Sequence, residues 1–259
     1  MPRAHRYHLS GHVWHITHRC HRAQFLLKFA RDRQTWIRWL YRARRRYGLC
    51  VLDYTVTCNH VHLLVRDRGR GEIAASLQLV AGRTAQAYNR RKHRSGAFWQ
   101  DRYHATAVDT DAHLGRCLVY IALNMVRAGV VAHPRQWPAG GYHEIQTPAR
   151  RYRIIDRPAL AEGLGIESVA QLAATHAEWI EAAVRTGGVG REPQWTESVA
   201  VGRRAFVERI GAELGDRVRG RQVELRGEGF VLRDASAPYV RHFLPKMASQ
   251  RRFGAAFTA

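Results

Sequence analysis

The sequence predicts an α+β fold, an antiparallel sheet packed by helices and followed by a mainly helical C-terminal extension. Short runs of period-two alternation are interleaved with longer runs of helical spacing, which is the pattern of helices laid on a sheet. Two β-rich runs are joined only by Cys58-Asn59, a connection that suits an antiparallel hairpin. Composition shifts after Tyr142, where Pro148, Pro158 and a loosely patterned stretch separate the first part of the chain from the rest.

Taken in order, His12-Val13-Trp14-His15-Ile16-Thr17-His18 alternates and reads as the first strand. Lys28 to Tyr47 has helical spacing, with Phe29, Trp36, Leu40 and Tyr47 among arginines and a stop at Gly48. Leu49 to Thr57 and His60 to Arg66 are the two strands of the hairpin. A second helix is expected over Gly71 to Arg94, ending in the basic cluster Arg90-Arg91-Lys92-His93-Arg94. Phe98 to Val108 reads as an aromatic strand or extended segment. Asp109-Thr110-Asp111 offers cap residues for a third helix that closes at Gly129. Beyond it, amphipathic helices are expected over Val199 to Leu214 and Ser168 to Val184, without internal repeats.

At 259 residues the chain is long enough for one large domain or two small ones. Its 42 Lys and Arg against 21 Asp and Glu give a formal net charge of +21. A pI near 11.1 sets it apart from ordinary enzymes of small neutral metabolites. Most of the excess is arginine, whose planar fork pairs with phosphate and stacks on bases, so nucleic acid is the expected partner. Cys20, Cys50, Cys58 and Cys117 show no Cys-x-x-Cys spacing, which argues against a zinc ribbon or a disulfide framework. The first residues lack a signal-peptide core and no stretch approaches a membrane span. A soluble, intracellular protein without a membrane partner is therefore expected.

The chemistry is expected to start from His60-Val61-His62. Strand alternation turns both imidazoles to one face while Val61 and Leu63 enter a core. Taken alone the spacing is ordinary, because alternation produces it for free. A wheel of about 100° per residue on the third helix places His113, Arg116, Asn124 and Arg127 within roughly 40° of Tyr120. Leu114, Leu118, Ile121 and Met125 flank this polar stripe on one side, and Val119, Leu123 and Val126 on the other. Tyr120 and Asn124, at i and i+4, are neighbours on it. The plainer reading is a core tyrosine with a surface asparagine. A tyrosine hydroxyl, with a reference pKa near 10, needs a cation or base to act as a nucleophile at neutral pH. A divalent metal held by His60, His62 and an oxygen donor such as Asn124 would polarise a scissile phosphate for in-line attack by Tyr120. The covalent phosphotyrosine so formed conserves the bond energy needed to cut and rejoin DNA.

These residues resemble the single-tyrosine HUH transposases, and within them the REP-associated tyrosine transposases of bacteria. The likeness is carried by Asn59-His60-Val61-His62-Leu63-Leu64, by Val119-Tyr120-Ile121-Ala122-Leu123-Asn124-Met125-Val126-Arg127-Ala128-Gly129, by Phe98-Trp99-Gln100-Asp101-Arg102-Tyr103, and by Trp137-Pro138 with Gly141-Tyr142. Met125 departs from the proline that many relatives carry after the helix asparagine. The resemblance implies a ferredoxin-like HUH sandwich over 1–145 as the catalytic domain and an accessory region over 146–259, which either binds DNA or only stabilises the fold. It implies Tyr120 as the nucleophile that takes a 5'-phosphotyrosine link and frees a 3'-hydroxyl. His60, His62 and Asn124 would be ligands of Mg2+ or Mn2+, and the substrate single-stranded DNA folded into REP-type hairpins. A bacterial cytoplasmic location at the nucleoid follows, as does a monomer, or a homodimer that exchanges the tyrosine helix.

Candidate DNA contacts are Arg83, Arg90, Arg91, Lys92 and Arg94 on the second helix and its end, Arg102, and Arg116 and Arg127 on the polar stripe. Trp99, with Phe98 and Tyr103, is expected to stack unpaired bases or else to be core. Histidine-triad hydrolases are disfavoured because Leu64 stands where their third histidine is required. A domesticated DNA-binding protein without cleavage is the remaining alternative, and a metal-stabilised RNA-binding protein would not need a tyrosine facing the metal.

Overall fold

Strand β1 (Val13–Arg19) lies in the middle of the first half of the molecule, hydrogen-bonded to a neighbouring strand on either side. The computed structural model describes residues 9–187 and 190–234. Helix α1 (Ala30–Tyr47) follows β1 and stops at Gly48, whose φ of 70° is the left-handed conformation that glycine adopts without a Cβ penalty. The hairpin strands β2 (Cys50–Val56) and β3 (His60–Arg66), helix α2 (Glu72–Arg91) and β4 (His104–Val108) complete a β1-α1-β2-β3-α2-β4 unit. Its spatial order is β2-β3-β1-β4, with every neighbouring pair antiparallel. This is the split βαβ arrangement of a ferredoxin-like sandwich, so the expected α+β class is borne out.

Pairing register decides which residues share a face. Directly opposed residues point the same way, and successive residues alternate. Thr17 opposes His62 and His104, and His15 opposes Leu64 and Thr106, so His15, Thr17, His60, His62, His104 and Thr106 all line one face. Trp14, Ile16, Val61, Leu63, Val65, Ala105 and Ala107 line the other. That second face, together with Trp36, Leu40, Leu77 and Val80 of α1 and α2, forms a dry core. Burying one tryptophan there removes roughly 200 Å² from water, about 5 kcal/mol at ~25 cal/mol/Å².

The histidine-lined face is covered by α3 (Ala112–Ala122), which continues after a break at Leu123 as the single turn α4 (Asn124–Arg127). One continuous helix to Gly129 was expected. Leu123 instead sits at φ −78°, ψ 3°, although its N–H still bonds to the Val119 carbonyl and the Arg127 N–H to the Leu123 carbonyl. Buried Leu114, Cys117, Leu118 and Ile121 anchor this helix.

Next, Trp137 to Gly141 cap the free edge of β2. Val56 N–H donates to Ala139 O at 2.8 Å, Gly141 N–H to Tyr54 O at 2.8 Å, and the Trp137 indole to Val56 O at 3.1 Å. A Cβ on Gly141 would lie 2.1 Å from Asp53 Oδ1, so only glycine lets this strap close. The short α5 (Tyr142–Gln146) and α6 (Arg157–Gly163) lead to α7 (Val169–Arg185), which begins at the Ser168 cap as expected.

The C-terminal extension carries strands as well as helices. After α8 (Gln194–Glu197), β5 (Ala200–Gly202) runs parallel to β4, so the helix expected from Val199 starts only at α9 (Arg204–Leu214). The hairpin β6 (Arg221–Arg226) and β7 (Gly229–Asp234) then joins β5, giving a seven-stranded sheet in the order β2-β3-β1-β4-β5-β7-β6. All four cysteines are free. Among the described residues no helix is long and apolar enough to cross a membrane.

Candidate active site

The β2-β3 turn sets the first histidine. Thr57 Oγ accepts the backbone N–H of His60 at 3.0 Å and of Asn59 at 3.3 Å, and donates to the His60 carbonyl at 2.8 Å. The Asn59 amide nitrogen donates to the Ala23 carbonyl at 3.1 Å, which turns Oδ1 toward His60 Nδ1 at 2.7 Å. A carboxamide oxygen only accepts, so His60 carries its proton on Nδ1 and keeps the lone pair on Nε2.

Two residues on, His62 is fully buried. Its Nδ1 lies 2.9 Å from His15 Nε2 and its Nε2 lies 2.8 Å from the Asn124 amide. The His60 and His62 rings are 4.9 Å apart, edge to face. Tyr120, only 5% exposed, brings its ring to 5.8 Å from His62 and 6.2 Å from His15, and Trp195 of α8 lies 6.3 Å away. The expected convergence of His60, His62, Tyr120 and Asn124 is thus present on one face of the sheet.

Burial sets the protonation states. It depresses His60 to about 3 and holds His62 well below the ordinary histidine value, with the neighbouring cationic groups adding to the effect. Both imidazoles are therefore neutral at physiological pH, the form that ligates metals. Tyr120 is pushed up by burial and pulled back by Arg127. The Arg127 guanidinium lies 4.0 Å from the Tyr120 ring centroid and donates to the Tyr120 carbonyl at 2.6 Å. Two neutral imidazoles and a carboxamide suit an open site for Mg2+ or Mn2+ completed by substrate oxygens. Among the described residues no group of three or more His, Cys, Asp and Glu side chains is placed to hold a metal, so Asn124 would have to be the third protein ligand.

The remaining expected contacts separate into two sets. Arg116 and Arg127 are on the Tyr120 helix, but Arg116 is engaged by Glu228 and His113, and Arg127 by Tyr120. Arg83, Arg90, Arg91, Lys92, Arg94 and Trp99 belong to the α2 side of the sheet. Arg83, Arg90, Lys92 and Arg102 are exposed, whereas Arg91 pairs with the buried Asp32, and Arg94 binds Asn89 at 3.0 Å and the Ala97 carbonyl at 2.8 Å. Trp99 is half-buried, stacked on His18 at 4.1 Å and donating to the Ala81 carbonyl at 3.0 Å. Phe98 and Tyr103 are core.

Sequence reasoning passed over three residues beside the site. His15 was read only as part of a strand, although its alternation with Thr17 copies that of His60 with His62. Phe25 and Phe29 are 65% and 56% exposed on the loop that leaves β1. Hydrogen bonds from Cys20 N–H to Asn59 O and from Leu27 N–H to Cys58 O, 2.8 and 2.9 Å, tie this loop to the His60 turn. Lys28 and Lys92 flank the Phe29 ring at 6.0 and 5.7 Å. Aromatic residues interleaved with basic ones, in the run Arg22 to Arg33, were the available signal.

The family model described as transposase IS200 like matches residues 8–124. This part of the chain is similar to an IS200-like transposase domain. Its span contains all of β1 and ends at Asn124, and so holds every member of the histidine-tyrosine-asparagine cluster. Solved structures similar to the chain include two transposases. A REP-associated tyrosine transposase bound to a REP hairpin is 19% identical with a TM-score of 0.47, covering 56% of this chain and 84% of that one. A putative transposase from Deinococcus radiodurans is 16% identical with a TM-score of 0.32, covering 40% of this chain and 84% of that one. No curated protein matches the sequence.

Proposed function

We propose that this transposase is a metal-dependent single-strand DNA endonuclease and strand transferase that works on hairpin, REP-type sequences through a 5'-phosphotyrosine intermediate. The observation that carries the reading is the meeting of His60, His62, Asn124 and Tyr120 on one face of the sheet beneath α3.

In this reading the Tyr120 oxygen attacks the phosphorus of a scissile phosphodiester and loses its phenolic proton to solvent. The bond from phosphorus to the 3'-oxygen breaks, and that oxygen takes up a proton to leave as a 3'-hydroxyl. Attack by a 3'-hydroxyl on the phosphotyrosine reverses the sequence and rejoins DNA, so no external energy source is required. Arg127 favours the phenolate electrostatically, opposing the effect of burial. A divalent ion held by the Nε2 atoms of His60 and His62 and by Asn124 Oδ1 would neutralise charge on the phosphate during attack. Exposed Arg83, Arg90, Lys92 and Arg102 would neutralise the backbone of the folded strand.

The test is incubation with a labelled REP-type hairpin oligonucleotide carrying a single-stranded flank, with and without manganese, followed by a denaturing gel. A slow-migrating covalent adduct that requires manganese is expected for the wild type and not for Tyr120→Phe. Cleavage undiminished in Tyr120→Phe or in His60→Ala contradicts the assignment. Tight binding without an adduct would favour a DNA-binding role alone.

A further inference from the structure

We propose that His15 is a positioning residue for this site, holding His62 as its Nδ1–H tautomer through a hydrogen-bonded relay that is anchored on the backbone carbonyl of Trp195. The proposal rests on the assignment of His62 as a ligand, but the relay itself is visible without metal or DNA.

The chain of inference starts at the carbonyl, which can only accept. His15 Nδ1 lies 2.8 Å from Trp195 O, so Nδ1 carries the proton. His15 is completely buried, its ring lies beside His62 and Tyr120, and the charged groups that act on it, His104 and Arg127, both oppose protonation. A charged imidazolium there would be stripped of water and repelled by Arg127, so the ring is neutral and Nε2 bears a lone pair. The group 2.9 Å from that lone pair is His62 Nδ1, which must therefore donate. The His62 lone pair is left on Nε2, facing Asn124 at 2.8 Å. The same reasoning assigns the Asn124 amide. Its NH2 faces His62 in this state, and the carboxamide must turn to offer Oδ1 to a cation.

The anchor belongs to the C-terminal extension. Trp195 lies in α8, and the hydroxyl of Thr106, 3.2 Å from the Trp195 carbonyl, gives its one proton to Ser198 O at 2.7 Å. Residues 180 positions apart in the chain thereby fix one proton. The extension has a purpose at the site that does not involve touching DNA. It is the counterpart of the Asn59 and Ala23 contact that fixes His60, so a backbone carbonyl stands behind each of the two imidazoles. Partners of this kind, one bond behind a ligating histidine, set its orientation and basicity, and losing one costs about 10- to 100-fold in metal affinity.

The test uses the full-length, metal-free protein labelled with 15N-histidine. Long-range 1H–15N correlation spectra report which ring nitrogen of His62 is protonated. The wild type is expected to show His62 as Nδ1–H with an unprotonated Nε2, and His15→Phe to lose that preference. Calorimetry with manganese alone should show affinity falling about 10- to 100-fold in His15→Phe. His15→Gln, whose carboxamide can bridge the Trp195 carbonyl and His62 in the same sense, should recover part of it. His62 protonated on Nε2 in the wild type overturns the proposal, even if His15→Phe does not fold. An unchanged tautomer and unchanged manganese affinity in a folded His15→Phe also overturn it. A wild type that shows the expected tautomer but forms no DNA adduct would count against the proposed function and leave the relay standing.

Discussion

His60 and His62 are equivalent in the sequence and unequal in the fold. The first sits half-buried at the mouth of the turn on contacts supplied within the neighbouring loops, and the second is sealed between His15 and Asn124. Arginines divide in the same way. Arg91, one of the expected DNA contacts, is committed to Asp32, a buried carboxylate near the start of α1. Arg91→Ala should therefore destabilise the fold by about 3 kcal/mol, measured by urea denaturation, because it leaves an unpaired buried charge. The exposed Arg90→Ala should change stability by less than about 0.5 kcal/mol. Equal, small effects would show that Arg91 is as free as its neighbour. At this scale the histidine pair, the tyrosine and the asparagine were legible, because strand and helix periodicity each place two of them. His15 was not, since its partners lie 47 and 180 positions away in the chain, one on β3 and one on α8.

Among the elements, β1 to β3 and helices α1, α2 and α7 were legible to within a few residues, with stop signals such as Gly48 or Ser168, whereas the strand or extended segment expected from Phe98 is regular strand only from His104. The run Val199 to Gly202 was not. It is short, apolar and fully buried between β4 and β7, and a four-residue apolar run cannot reveal its own period. The loop between β1 and α1 also escaped notice, because it has no period at all. Arg22 and Ala23 adopt positive φ there, and the Arg33 side chain closes the segment onto the Leu27 carbonyl at 3.1 Å. With its two exposed phenylalanines, and tied to the His60 turn, this loop would under the proposed function offer an unpaired strand a better stacking surface than Trp99, which is occupied by His18. Phe25→Ala and Phe29→Ala should each weaken binding of a hairpin with a single-stranded flank by about 1 to 3 kcal/mol, roughly 5- to 150-fold. Binding of the blunt hairpin should be unchanged. Fluorescence anisotropy on the two oligonucleotides checks this, and an equal loss on both would place the phenylalanines elsewhere in the complex.

At the scale of the whole molecule, the +21 charge was legible from composition and the continuity of the sheet was not. The parallel contact between β4 and β5 joins segments about 90 residues apart, and only the packed structure shows that the extension prolongs the sheet on the β4 side. The buried histidines give the molecule a pH dependence of known sign. Burial lowers His15 and His176 from 6.5 to about 4 each. Between those values the unfolded chain binds protons that the folded chain does not, so stability is fully present above pH 6.5 and falls as pH drops toward 4. Each group contributes on the order of 3 kcal/mol to that fall, and His176→Phe should flatten it. Urea midpoints measured from pH 8 to pH 4.5 check the slope, and stability that rises on acidification would contradict the buried neutral state.

The central claim is that the side chain at position 120 becomes covalently joined to DNA beside the histidine pair. Intact-mass measurement of the wild type after reaction with a REP-type hairpin and manganese, followed by peptide mapping of the adduct, tests it most directly. The account predicts one oligonucleotide fragment linked through its 5'-phosphate to the peptide containing Tyr120, with a free 3'-hydroxyl on the released strand. An adduct on any other residue, or cleavage that leaves a 3'-phosphate and an unmodified protein, would contradict it.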